Sequence, residues 1–256
     1  MAEKTPILQL KGISKRFGGV VALNDVNMEL RKGEVLGIVG DNGAGKSTLI
    51  KIISGVYQKD SGEIYLKGQK VEIDNPKDAM MLGIETVYQD LALVDSLDLP
   101  LNIFLGREIR YKGAMGSVFG FLNFREMRQN SIKLLQKLKV DVKDLRTQVR
   151  YLSGGQRQII PFARVIYWSK KIIVLDEPTS ALGVKESRSV LNVIKRLKEY
   201  GFSIIIISHN LQHIFSVVDR IMVLRRGEKV GVVKAHETTA DEVVSMITGA
   251  GTIEKL

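Results

Sequence analysis

The run Gly40-Asp41-Asn42-Gly43-Ala44-Gly45-Lys46-Ser47-Thr48 follows the pattern G-x-x-x-x-G-K-[ST] of a phosphate-binding loop. Its residue types explain what such a loop does. Gly40, Gly43 and Gly45 let the backbone turn tightly and bring N–H groups close to phosphate oxygens. A helix opening near Gly45 adds free N–H groups and the positive end of its dipole. Lys46 has the length to reach the β- and γ-phosphates of a nucleotide, and the Ser47 hydroxyl is suited to ligate Mg²⁺.

A second group of chemistry-bearing residues lies far along the chain. Ile172-Ile173-Val174-Leu175 is apolar and ends in Asp176-Glu177. A buried strand has reason to end in two acids where they meet a cation or a water. Asp176 fits the Mg²⁺ shell, and Glu177 fits a general base facing a water in line with the γ-phosphate. Gln89 can hold a metal ion or the attacking water by its amide oxygen. His209 can hydrogen-bond a γ-phosphate or orient Glu177. Leu152-Ser153-Gly154-Gly155-Gln156 repeats the logic of an anion loop, with a hydroxyl, two glycines and the start of a helix.

These residues need elements to hold them. Glu34–Val39, Ile84–Tyr88, Lys171–Leu175 and Phe202–Ile207 read as buried strands. Gly40, Gln89, Asp176 and His209 each fall at or just past the end of one, the edge where open α/β sheets bind ligands. Helices are expected over Thr48–Ile53, Pro76–Leu82, Leu99–Leu105, Phe124–Leu138, from the turn at Ser153-Gly154-Gly155 to Trp168, Val184–Tyr200 and Thr239–Ile247. Pro161 inside the fifth predicts a kink or break. Ile7–Ile13, Val20–Leu30, Glu63–Leu66 and Lys70–Ile73 suggest an antiparallel sheet, and Arg220–Leu224 with Lys229–Val233 a hairpin. Gly113–Phe121 has no period and reads as a loop, either an interaction surface or a plain insertion. Alternating strands and helices indicate an α/β chain with a largely parallel sheet.

Composition narrows the function classes. The chain has 256 residues and a net charge of +10, with basic residues scattered rather than gathered into a tail. Nucleic acid is not the expected partner. There are no cysteines, which excludes disulfides, thiolate metal sites and cysteine catalysis. The polar start, Met1–Pro6, is unlike a signal peptide, and no stretch is long and apolar enough to cross a bilayer. A cytoplasmic chain is expected.

The combined motifs resemble the nucleotide-binding subunit of an ATP-binding cassette transporter. Gly40–Thr48 matches the Walker A loop, Gln89 the Q-loop, Leu152–Gln156 (LSGGQ) the signature, Ile172–Glu177 Walker B with its glutamate, and His209 the switch histidine. The resemblance covers about Ile7 to Thr248. It implies a RecA-like core, an antiparallel β-subdomain and an inserted helical subdomain over about residues 91–161, all in one ATPase domain over residues 1–256. It implies ATP and Mg²⁺ as ligands, with Ser47, Gln89 and Asp176 toward the metal and Glu177, His209 and Gln89 in catalysis. Phe17 matches the aromatic position that stacks on adenine. Two copies would pair head to tail, the signature residues Ser153, Gly154, Gly155 and Gln156 of one closing on the ATP of the other.

The segments Val87–Leu93, Asn102–Glu108 and Glu177–Glu186 further resemble bacterial monosaccharide importers of the ribose, xylose and fructose class. That implies an integral-membrane permease as partner, a periplasmic sugar-binding protein acting indirectly, and a peripheral place on the cytoplasmic face of the membrane. Cassette ATPases acting on ribosomes or nucleic acid, and exporter ATPases, stay as alternatives. One departure is plain: the loop after Walker B is Ser180-Ala181-Leu182-Gly183, where the family usually ends it in aspartate.

Overall fold

The structure, a computed structural model, describes residues 6–88, 92–113, 116, 118–138, 144–168, 171–180 and 182–250. It divides into two compact units. The first takes residues 1–89, 169–181 and 194–256, and the second residues 90–168 and 182–193.

The first unit holds two sheets. Strands β1 (Pro6–Phe17), β2 (Val20–Arg31), β4 (Ser61–Leu66) and β5 (Gln69–Val71) form an antiparallel sheet in the order β2-β1-β4-β5. The larger sheet runs β10-β9-β3-β8-β7-β6. Its members are β3 (Val35–Val39), β6 (Ile84–Val87), β7 (Ile172–Asp176), β8 (Ser203–Ile207), β9 (Arg220–Arg225) and β10 (Glu228–Lys234). Every neighbouring pair is parallel except β9 with β10. All of β3 and β8, and β7 up to Leu175, are buried. Such unbroken apolar runs are what a parallel sheet requires when both its faces are covered.

Among the described residues four helices belong wholly to this unit: α1 (Lys46–Ile53), α2 (Pro76–Met81), α7 (Leu211–Phe215) and α8 (Ala240–Thr248). Their starts are set by local chemistry. Asn75 and Asp78 form a reciprocal capping box on α2, as Thr239 and Glu242 do on α8.

The second unit is helical. It contains α3 (Leu99–Ile103), α4 (Phe124–Leu138), a 3₁₀ turn at Val149–Tyr151 and α5 (Gly154–Trp168). Helix α6 (Val184–Glu199) begins in this unit and ends in the first. In α4 the residues Met127, Ser131, Leu134, Leu135 and Leu138 are buried, the stripe its spacing predicts. Asn102, fully buried in α3, accepts from Val94 N at 2.9 Å and donates to the carbonyls of Val94, Leu97 and Asp98. Arg164 of α5 donates to the carbonyls of Asn102 and Ala92. A polar knot thus fixes the segment that follows the predicted Q-loop.

Helix α1 begins at Lys46 with Gly45 as its N-cap, where the phosphate loop is expected to open a helix. A backbone bridge joins Arg110 and Leu122, which flank the segment read as a loop. Helix α5 runs unbroken through Pro161. The proline removes one backbone hydrogen bond, but Ile159, Ile160, Phe162, Ala163 and Val165 around it are buried and hold the helix together.

Candidate functional site

The phosphate loop leaves β3 and turns into α1. Its glycines are dictated by contacts as well as by backbone angles. A Cβ on Gly40 (φ +153°) would lie 2.1 Å from the Leu224 carbonyl oxygen, and one on Gly45 (φ +101°) 2.6 Å from that of Ala22. The loop therefore sits against β9 on one side and β2 on the other. The turn between β9 and β10 braces it further: Gly227 N donates to Ala44 O at 3.1 Å, and Asn24 N to Gly227 O at 2.8 Å. Asp41, Asn42 and Ser47 are exposed, and Thr48 lies in the first turn of α1.

Lys46 curls over the loop and donates to the carbonyls of Gly40 at 2.7 Å and Asp41 at 2.8 Å. Burial lowers its pKa, opposed by the charges of Glu177, Asp41 and Asp176. Asp176, the last residue of β7, is shifted upward by burial and then by the Glu177 charge, with Lys51 and Lys46 opposing. Asp176 and the Ser47 hydroxyl are hard oxygen donors, and no cluster of three metal-binding side chains exists among the described residues. That donor set fits Mg²⁺, which takes one or two protein oxygens and completes its shell with water and substrate phosphates.

Glu177 follows in a left-handed conformation (φ +50°), unusual outside glycine. Several bonds impose it. Its N–H donates to Ile207 O at 3.0 Å, and its carbonyl accepts from Ser180 N and Ser180 Oγ. Its carboxylate accepts from His209 N at 3.0 Å through Oε1. His209 Nδ1 lies 3.0 Å from Oε2. That approach is not aligned as a hydrogen bond, and Oε2 is buried and accepts none among the described residues. One oxygen is thus held and the other accepts no hydrogen bond among the described residues. The His209 ring is largely exposed.

Phe17, at the end of β1, is an exposed ring rather than a core residue, with Tyr57 edge-on at 5.1 Å and Lys15 over its face. Ser153, Gly154, Gly155 and Gln156 lie in the helical unit at the start of α5. Here Ser153 N donates to Gln156 Oε1 at 3.0 Å and Gln156 N to Ser153 Oγ at 3.3 Å. The S-x-x-Q spacing is a reciprocal capping box, which fixes where the helix starts and how its N–H groups point. Gln89 lies outside the described residues. The structure therefore brings together Lys46, Asp176, Glu177 and His209 in one unit and arranges the signature in the other.

Sequence reasoning missed three supports. Gly227 and Asn24 brace the loop from distant segments. His213 of α7 meets Thr179, with Nδ1 at 3.0 Å from Oγ1. Glu186, in the first turn of α6, sets its Oε2 2.6 Å from where a Cβ on Gly183 would lie. A carboxylate thus lies in the side-chain space of the position where the family usually has aspartate, at the far end of a side chain that a Cβ there would displace.

Residues 23–180 match the ABC transporter family. The chain is 46% identical over 242 residues to the xylose/arabinose import ATP-binding protein of Sulfolobus acidocaldarius, covering 94% of each. It is 44% identical over 246 residues to the fructose import ATP-binding protein of Rhizobium meliloti, covering 96% of this chain and 95% of that one. Among solved structures it is similar to a nucleotide-free ATP-binding cassette from an ABC transporter, with a TM-score of 0.81 and 25% identity over 94% of this chain and 98% of that one. It is likewise similar to a dimeric cassette bound to ADP and Pi, with a TM-score of 0.73 and 27% identity over 89% and 98%. The chain belongs to the ABC transporter family, as one of its ATP-binding ATPase cassettes.

Proposed function

We propose that this cassette powers uptake of a sugar, of the monosaccharide class, through a membrane permease. What carries the reading is the identity of 44–46% over nearly the whole length of cassettes named for xylose/arabinose and fructose import. The partners are the permease and a second copy of the chain, paired head to tail. A sugar-binding protein outside the membrane delivers the solute. The cassette is held at the cytoplasmic face by the permease; no described helix is long and apolar enough to cross a membrane.

In the proposed mechanism the loop N–H groups and Lys46 hold the β- and γ-phosphates. Ser47, Asp176 and Gln89 hold Mg²⁺, which neutralises charge on the phosphates when bound. The adenine stacks on Phe17. The Glu177 carboxylate accepts the proton of the attacking water, while the His209 N–H holds Oε1 and so sets the direction of the carboxylate. Ser153, Gly154, Gly155 and Gln156 of the second copy close on the same nucleotide through the capped start of α5.

Two measurements test this. Glu177→Gln should keep ATP affinity and lose at least about a hundredfold in hydrolysis; unchanged turnover removes the assigned role. Purification of the native membrane complex through this subunit, followed by reconstitution, should give ATP-dependent accumulation of a labelled monosaccharide. Transport of no sugar, with salt-sensitive RNA binding instead, would favour the nucleic-acid alternative.

A further inference from the structure

His213 stands outside the roles assigned above, yet it grips the loop that carries the hydrolytic glutamate. Its Nδ1 is 3.0 Å from the Thr179 hydroxyl, and Thr179 is buried, two residues beyond Glu177. The backbone that presents His213 is fixed by Asn210, whose side chain caps α7 and accepts from His213 N at 3.1 Å. His209 precedes the same helix and holds the Glu177 carboxylate through its own N–H. Two histidines four residues apart thus contact two loop residues two apart.

This arrangement bears on Glu177 because its backbone is strained. A left-handed non-glycine residue persists only where the surroundings fix it. The bonds to Ile207 and Ser180 fix it on one side, and the Thr179–His213 contact anchors the chain just beyond. A threonine hydroxyl both donates and accepts, so the contact survives either neutral imidazole tautomer.

We infer that His213 is a positioning residue for hydrolysis: through Thr179 it ties the Glu177 loop to the helix that begins at the switch histidine. The inference rests on Glu177 as general base. Loss of the contact loosens the direction of the carboxylate without touching the groups that bind nucleotide. It should therefore lower kcat and leave KM alone.

The test is a double-mutant cycle on the full chain and on its membrane complex. Thr179→Val, nearly isosteric, should lower kcat about fivefold at unchanged KM for ATP. His213→Ala should match it, and the double variant should be no worse than either single change. His213→Asn, whose amide nitrogen falls near the place of Nδ1, should recover most of the rate. Unchanged kcat in Thr179→Val, losses that multiply in the double variant, or a loss seen in thermal stability alone would each overturn the inference. Should Glu177→Gln retain turnover, the reading of Glu177 fails first. Should it lose turnover while Thr179→Val does not, only the role of His213 falls.

Discussion

Asp176 illustrates how function and stability diverge at single residues. Its folded pKa is raised, with burial the first cause and the Glu177 charge the second. A carboxyl with a raised folded pKa holds its proton more tightly than in the unfolded chain. Above the ordinary carboxylate range its charge therefore opposes folding, and the opposition is relieved as pH falls through the raised value. Asp176→Asn should accordingly raise the thermal midpoint at neutral pH without nucleotide. It should also lose the further rise that ATP with Mg²⁺ gives the unaltered chain. Scanning fluorimetry with and without Mg-ATP reads both effects, and a lower midpoint without nucleotide would contradict the assignment. The acids were legible in the sequence because an apolar strand has little other reason to end in two of them. His213 was not: a five-residue helix gives no periodic signal, and its partner Thr179 lies 34 residues away.

At the scale of elements, the phosphate loop is a structure held from outside. Gly43 (φ +78°) has open space where a Cβ would go, whereas Gly45 is walled by the Ala22 carbonyl and the Leu23 side chain. Gly43→Ala should cost about 1 kcal/mol of folding stability from backbone strain alone. Gly45→Ala should cost about 3 kcal/mol or more, since strain and collision with β2 act together. Urea denaturation compares the two, and equal losses would count against bracing by β2. The loop was legible from its pattern, but its braces were not, because Asn24 and Gly227 are distant in sequence and carry no motif. The signature was read as an anion loop from its glycines and helix start. Its capping box adds the role of Gln156, which is to fix the first turn of α5. The break expected at Pro161 is absent for a related reason. The local cost of a proline is plain in a sequence, while the burial that outweighs it depends on packing partners.

For the whole molecule, the proposed head-to-tail pairing has a second chain complete each site. In Glu177→Gln, ATP with Mg²⁺ should double the mass measured by light scattering, and ADP should not. A monomer under both conditions would contradict head-to-tail closure. Alternation of strands and helices made the α/β class and the active edge of the sheet legible. The strand order was not. In the observed sheet β3 lies between β8 and β9, pairing residues more than 160 positions apart, and many orders satisfy the same alternation.

The lysine of the phosphate loop has a consequence for selectivity. With its ammonium already donated to the carbonyls of Gly40 and Asp41, the loop is its own first ligand. An incoming anion must exchange against two carbonyl dipoles, so its gain is a difference between two sets of bonds. A small, singly bonded anion gains little from that exchange. A polyphosphate engages the loop N–H groups and the lysine together and passes the threshold. A loop so arranged should favour polyphosphates over simple anions before any base or ribose is recognised, which competition of inorganic phosphate against ATP would measure.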